Sequence, residues 1–401
     1  NRGNKAPFSP IRKLSPYAEE AKKRGIKIFH LNIGQPDFKI PDKIRLEIKN
    51  RSNLDFLPYS NSQGLKELIE SWQRYYQKIN VKVSSNDIII TYGASEALIF
   101  AMATVCDPGE ELIVFEPFYA NYNGFANLVS VNIKSVPLDI ANGYHLPKRG
   151  EIIKKITPKT RAICIINPNN PTGTVFSEDE LLQIIDIAKE HNLFIIADET
   201  YYGICFDGTK SKSILEITSK KEREQIIVVD SVSKRLNVCG ARVGALVSQN
   251  KDVLSAVMRF AQERLAVATF EQEIVASQLK NSLSYVSTIS AEYQNRRDAL
   301  TEVLEHELNI KIHKPQGAFY IMLKLPFGGS DDFAKWLLEE FSLDNQTVMV
   351  APGSGFYNTP GLGDDEVRLA YVLKPNELKS AANILAKAIK EYCKIIARKQ
   401  E

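Results

Sequence analysis

Residues 161–201 read RAICIINPNNPTGTVFSEDELLQIIDIAKEHNLFIIADETY. Arg161 to Ile166 is apolar after its first residue and rich in β-branched side chains, the composition of a strand buried on both faces. Asn167 to Gly173 follows as a turn stiffened by two prolines and ended by a glycine. Ser177 stands three residues before Glu180, a capping box that opens a helix predicted to reach His191. Leu193 to Ala197 is a second apolar run, closed by Asp198. Strand, helix and strand in so short a stretch predict an α/β fold, with a mostly parallel sheet and helices over both of its faces.

The same alternation extends outward from Asp87 to about Ser248. Further strands are predicted at Ile88 to Thr91, Glu111 to Phe115, Gln225 to Val229 and Val243 to Val247, with a helix over Ser95 to Val105. After Gln249 the pattern changes to long helices, about Lys251 to Gln278 and Thr288 to Leu308. Short strands follow at Lys311 to His313, Gly317 to Leu325, Thr347 to Ala351 and Val367 to Val372, with helices near Asp331 to Glu340 and from Pro375 to Ala397. This second half reads as a smaller α+β domain. Gly64 to Gln77 is predicted as a helix packing partly on that smaller domain.

Composition bounds the function. The 401 residues are 44% hydrophobic and 25% charged, enough for two domains with a sizeable core and unlike a disordered chain. Fifty-one basic and 48 acidic side chains leave a net charge of +3, which offers no field for nucleic acid or a membrane surface. The five cysteines are widely spaced and form no C-x-x-C pair, the usage of a reducing compartment. Asn1 to Pro16 lacks the apolar core of a signal peptide, and no apolar run approaches the roughly 20 residues that cross a bilayer. A cytoplasmic protein is expected.

Several chemistries lose their motifs. There is no G-x-G-x-x-G after a strand, no Walker A and no G-x-S-x-G, and the five histidines lack metal-ligand spacing. No metal is expected. The remaining candidates sit at the C-terminal ends of the predicted strands, where open α/β sheets bind ligands. In Thr91-Tyr92-Gly93-Ala94-Ser95 a strand turns into a helix whose first amides and Ser95 hydroxyl can hold an anion, or Ser95 is simply a cap. The turn NPNNPTG presents Asn170 from a fixed backbone. Asp198 ends an apolar strand and needs a cationic or N–H partner if buried, or it serves as an N-cap for the segment after the strand. Ser231-Val232-Ser233-Lys234, with Arg242 nearby, gathers hydroxyls and cations, and a desolvated lysine there can attack a carbonyl.

Taken in order along the chain, Ile33-Gly34-Gln35-Pro36-Asp37-Phe38, Tyr59 before Gly64, Gly93-Ala94-Ser95, Pro117 to Tyr119, NPNNPTG, Asp198 to Tyr201, Ser231 to Lys234 with Arg242, Gly317-Ala318-Phe319-Tyr320 and Val367-Arg368-Leu369 form a specific set. The set resembles the fold type I pyridoxal 5′-phosphate enzymes, specifically the class I/II aminotransferases related to aspartate aminotransferase.

The resemblance implies a seven-stranded-type, mostly parallel sheet in a large cofactor domain, residues 48–280. It also implies an N-terminal arm, 1–47, that joins a small domain, 281–401. It assigns Lys234 the internal aldimine and the proton transfer, and Asp198 the pyridinium nitrogen. Asn170 and Tyr201 would bond the 3′ oxygen, and Tyr119 would lie on the ring face. Gly93, Ala94, Ser95, Ser231, Ser233 and Arg242 would surround the phosphate, joined by Tyr59 from a partner subunit, so a homodimer with shared sites is implied. Arg368 would clamp the substrate α-carboxylate with help from Gly34 and Asn170. Tyr17 either lines the substrate entrance or packs on the small domain.

The implied activity is ping-pong transfer of an amino group from an L-amino acid (aspartate, aromatic or other) to a 2-oxo acid such as 2-oxoglutarate. A β-lyase or 1-aminocyclopropane-1-carboxylate synthase-like reaction stays open on the same scaffold. An aminotransferase-like transcription regulator is disfavoured, because the pattern already begins by Ile33. Ser95 stands where some bacterial aspartate aminotransferases place a lysine for the distal carboxylate, so the side-chain preference is undecided.

Overall fold

The protein is described by a computed structural model over residues 9–400. After a first short strand, β1 (Lys27–His30), the chain builds a seven-stranded sheet. Its strands are β2 (Ile88–Thr91), β3 (Glu111–Glu116), β4 (Asn132–Pro137), β5 (Thr160–Ile166), β6 (Phe194–Asp198), β7 (Ile226–Ser231) and β8 (Gly244–Ser248). Their spatial order is β2-β8-β7-β6-β5-β3-β4; β8 runs antiparallel to both neighbours and every other pair is parallel.

Successive side chains of each strand enter opposite layers. On one face Trp72, Tyr75 and Tyr76 of the helix Lys66–Lys78, with Leu181 and Ile184 of Glu178–Glu190, pack on Ile163, Ile195 and Val228. On the other, Leu98 and Met102 of Gly93–Val105 and Val257 of Lys251–Glu263 pack on Leu112, Ile196 and Ile227. The helix Glu178–Glu190 has the expected capping box: Ser177 Oγ accepts from Glu180 N, and Glu180 Oε2 accepts from Ser177 N.

A second core joins both ends of the described chain. β9 (Tyr320–Lys324), β11 (Ala351–Pro352) and β12 (Glu366–Ala370) form an antiparallel sheet in the order β11-β12-β9, while β10 (Gln346–Met349) pairs in parallel with β1. Leu14 and Phe29 share this core with Trp336, Leu369 and Leu385.

Four expectations change. The helix Lys66–Lys78 packs on the seven-stranded sheet, because its aromatic stripe is the larger apolar surface. β4 was not anticipated: Asn132 and Lys134 dilute its apolar pattern. Lys311 to His313 forms no strand. The helix expected over Lys251 to Gln278 breaks into Lys251–Glu263 and Thr269–Leu279, with Leu265 in the left-handed region at φ 70°. No Gly or Pro marks this break. Tertiary bonds hold it instead: Arg264 Nη2 donates to Ile90 O (2.8 Å), and the buried Gln272 amide donates to Ser60 Oγ (2.8 Å).

Candidate active site

β5, β6 and β7 run in parallel, and their C-terminal ends release the chain on one side as Asn167 to Gly173, Asp198 and Ser231. β12 and the turn after β1 face them, and one cleft lies between. Lys234 reaches it from a one-turn helix, Val232–Arg235, capped by Ser231, whose Oγ accepts from Ser233 N. Lys234 Nζ donates to Gly34 O at 2.8 Å and lies 3.6 Å from Cys239 Sγ. Gly34 must lack a side chain: a Cβ there would stand 1.8 Å from Tyr320 Oη.

Asp198 is 3% exposed. Its Oδ1 accepts from Thr200 N (3.1 Å) and Thr200 Oγ1 (2.6 Å), and its Oδ2 accepts from Tyr122 Oη (3.0 Å). Burial pushes its carboxyl above the ordinary aspartate value, against the pull of these donors. Among the described residues no cation pairs with it.

Arg368, on β12, is 1% exposed. Its Nη1 donates to Asn170 Oδ1 (3.1 Å) and its Nη2 to Asn32 O (2.7 Å), while Nε has no partner. Burial pulls the guanidinium below its ordinary value, and no carboxylate among the described residues compensates it. The ring of Tyr320 lies 4.4 Å from the guanidinium carbon. Asn170 Nδ2 faces Tyr201 Oη at 3.5 Å, and Tyr201 Oη meets Tyr320 Oη at 3.0 Å, so Arg368, Asn170, Tyr201 and Tyr320 form one chain of polar contacts.

The cleft lining also gathers hydroxyls, helix-start amides and a further cation, groups that can hold an anion. Ala94 and Ser95 open the helix Gly93–Val105, where free amides converge. Ser231 Oγ donates to Ser233 Oγ (2.8 Å), and Arg242 lies alongside, its Nη1 on Cys239 O at 3.1 Å. Gly93 itself does not line the cleft; its φ of 67° and bare Cα make room for Arg242, whose Nη2 would be 2.7 Å from a Cβ there. Tyr119 closes the cleft, its ring edge-on to Tyr122 at 5.6 Å.

Tyr59 is elsewhere, 82% exposed and away from this cleft. Tyr17 packs against the second core under Lys335, not on the cleft. Sequence reasoning missed Arg12, Tyr122, Thr200 and Cys239. Tyr122 follows Tyr119 at helical spacing, a signal that could have found it; nothing local marks Arg12, which lines the cleft from before the first helix. Among the described residues no group of three potential metal ligands gathers, and no helix is long and apolar enough to cross a membrane.

A buried carboxylate without a cation, a lysine in a cleft and an anion cradle in the same lining match a phosphate-bearing pyridine aldehyde. The family model "Aminotransferase class I and II" matches residues 26–385. The chain belongs to this family. The aminotransferase is 30% identical over 386 residues to an aspartate aminotransferase of Pyrococcus horikoshii, covering 95% of this chain and 94% of that one. It is 32% identical over 391 residues to aromatic-amino-acid aminotransferase 2 of Thermococcus litoralis, covering 96% of each. Among solved structures, an alanine aminotransferase of Pyrococcus furiosus superposes with a TM-score of 0.88 at 29% identity, over 98% of this chain and 99% of that one. The aminotransferase is therefore a transaminase of the fold type I class and depends on pyridoxal 5′-phosphate. The residues of the cleft fit that cofactor.

Proposed function

We propose that this transaminase moves the amino group of an L-amino acid to 2-oxoglutarate by a ping-pong scheme, with aspartate as the favoured donor. The observation that carries the reading is Arg368, a buried guanidinium with no carboxylate of its own, opening onto the same cleft as Lys234. A substrate α-carboxylate supplies the missing charge through a two-pronged contact, while Asn170 and the Gly34 backbone fix its orientation.

Lys234 holds the cofactor and shuttles the proton at the substrate Cα. Asp198 would take the ring nitrogen, and Thr200 and Tyr122 hold its carboxylate in place. Asn170 and Tyr201 would bond the ring hydroxyl oxygen, and Tyr119 would cover the ring face. Ala94, Ser95, Ser231, Ser233 and Arg242 hold the phosphate, with Gly93 giving Arg242 its space. The bound cofactor supplies an electron sink for the pair released at the substrate Cα. The first 2-oxo acid leaves before the second binds.

Arg12 supports the choice of a dicarboxylate. It brings a third guanidinium to the cleft beside those of Arg368 and Arg242, and no acidic side chain among the described residues pairs with it. A homodimer of this chain, with a large domain of residues 48–280 and a small one of 281–401 joined by 1–47, is part of the same reading. Phe56 (78%), Leu57 (55%) and Tyr59 (82%) are exposed together, an apolar segment suited to a second subunit, where Tyr59 would reach the partner's phosphate end.

A donor panel tests it. Aspartate with 2-oxoglutarate should turn over faster than phenylalanine or alanine, and without an added 2-oxo acid product should stop at one equivalent per cofactor. Release of ammonia over many turnovers in the absence of acceptor would replace transfer by elimination.

A further inference from the structure

The five cysteines are free, and four are muted by their surroundings. Burial pushes the Cys106 thiol up to about 12 and raises Cys164, Cys205 and Cys393 as well. Cys239 is placed differently. It is half-buried, starts the short turn Cys239–Ala241, and lines both the cleft of Lys234 and the adjoining apolar groove of Ile44 and Phe270. Its Sγ donates to Ser233 O at 3.2 Å and sits 3.6 Å from Lys234 Nζ. A soft nucleophile and an amine on a flexible four-carbon stem thus touch inside a cleft that small molecules enter.

We propose that Lys234 and Cys239 form a peroxide-responsive modification site that closes into a reversible sulfur–nitrogen link. Hydrogen peroxide or an organic hydroperoxide is the oxidant. In the first step the Cys239 sulfur bonds the peroxide's distal oxygen and the O–O bond breaks. Sulfur gives up two electrons to the peroxide, which leaves as water or an alcohol, and Cys239 becomes a sulfenic acid. In the second step the lone pair of Lys234 Nζ attacks that sulfur and the S–O bond breaks. The hydroxyl leaves as water with a proton shed by nitrogen, and the protein has lost two hydrogens in all. A thiol reductant reverses the link by attacking sulfur and returning the amine.

The consequence for activity rests on the reading of Lys234 as the cofactor-bearing lysine, since the link removes its amine. The link itself does not. The test treats the holoenzyme with hydrogen peroxide while aspartate and 2-oxoglutarate are present, then digests it for mass spectrometry and assays a parallel sample. A Lys234–Cys239 linked peptide, lighter by two hydrogens, should appear together with a roughly tenfold or greater loss of turnover, and dithiothreitol should restore both. Cys239→Ser and Cys239→Ala, each measured against its own untreated sample, should keep their rates. Oxidised Cys239 without a linked peptide, or equal inactivation of both variants, overturns the proposal. A linked peptide with undiminished turnover and cofactor absorbance leaves the link standing and overturns the assignment of Lys234.

Discussion

Arg368 offsets its burial with two neutral acceptors and the faces of Tyr320 and Phe356, and such a guanidinium gains most when a carboxylate arrives. Arg368→Lys replaces the fork by a point charge. Losing one charge-assisted bond of roughly 1.5–3 kcal/mol should raise KM for every amino donor by about tenfold to a hundredfold. Cofactor absorbance should be kept, and an unchanged KM would remove Arg368 from the substrate site. Arg12→Met should behave otherwise, raising KM for aspartate while leaving that for alanine nearly unchanged; steady-state kinetics with both donors decides it. Residue types were legible in the sequence wherever a turn displays them, as with Asn170, Asp198 and Lys234. Arg12 and Tyr122 were not, because their relevance depends on how distant segments come together.

At the scale of elements, the capping box of the helix Glu178–Glu190 carries a further bond. His145 Nδ1 lies 3.0 Å from Glu180 Oε2, and Leu146 N donates to Glu180 Oε1 at 2.7 Å. The hydrogen bond to Glu180 raises the imidazole above its ordinary value. Glu180 is held low by His145 and the two backbone donors, in spite of its own burial. For a group raised in the folded state, stability is present below the unfolded pKa of 6.5 and is lost as pH climbs through the folded one. The Glu180 share has the opposite sign and vanishes as pH falls through its lowered value, below 4.5. The difference in urea midpoint between the native chain and His145→Asn should therefore be larger near about pH 5.5 than near about pH 8.5; a difference independent of pH would sink the coupling. Ser177→Ala should cost about 1 kcal/mol in the same measurement, with activity little changed. Capping boxes and apolar runs were readable because they are local. The break at Leu265 was not, since it is tied to residues far away in sequence, Arg264 to Ile90 and buried Gln272 to Ser60.

For the whole molecule, the alternation of strands and helices foretold a mostly parallel sheet and six of its seven strands, but not β4, the strand order or the antiparallel β8, which depend on non-local pairing. Phe56, Leu57 and Tyr59 are exposed, and in the proposed homodimer a second copy of the chain would cover them. Phe56→Asp should shift the protein toward monomer in sedimentation and lower cofactor retention, because Tyr59 would no longer reach a neighbouring site; a dimer of unaltered affinity would refute that interface. In the proposed scheme both halves of the transfer turn on Lys234, which lines the same cleft as Arg368 and Arg242. The most direct measurement compares native protein and Lys234→Ala, both supplied with pyridoxal 5′-phosphate, by visible absorbance and by aspartate-dependent turnover with 2-oxoglutarate. The native protein should show the lysine-bound cofactor band and transfer amino groups, and the variant should lose both. A variant that keeps the band and the turnover would contradict the assignment of the cleft.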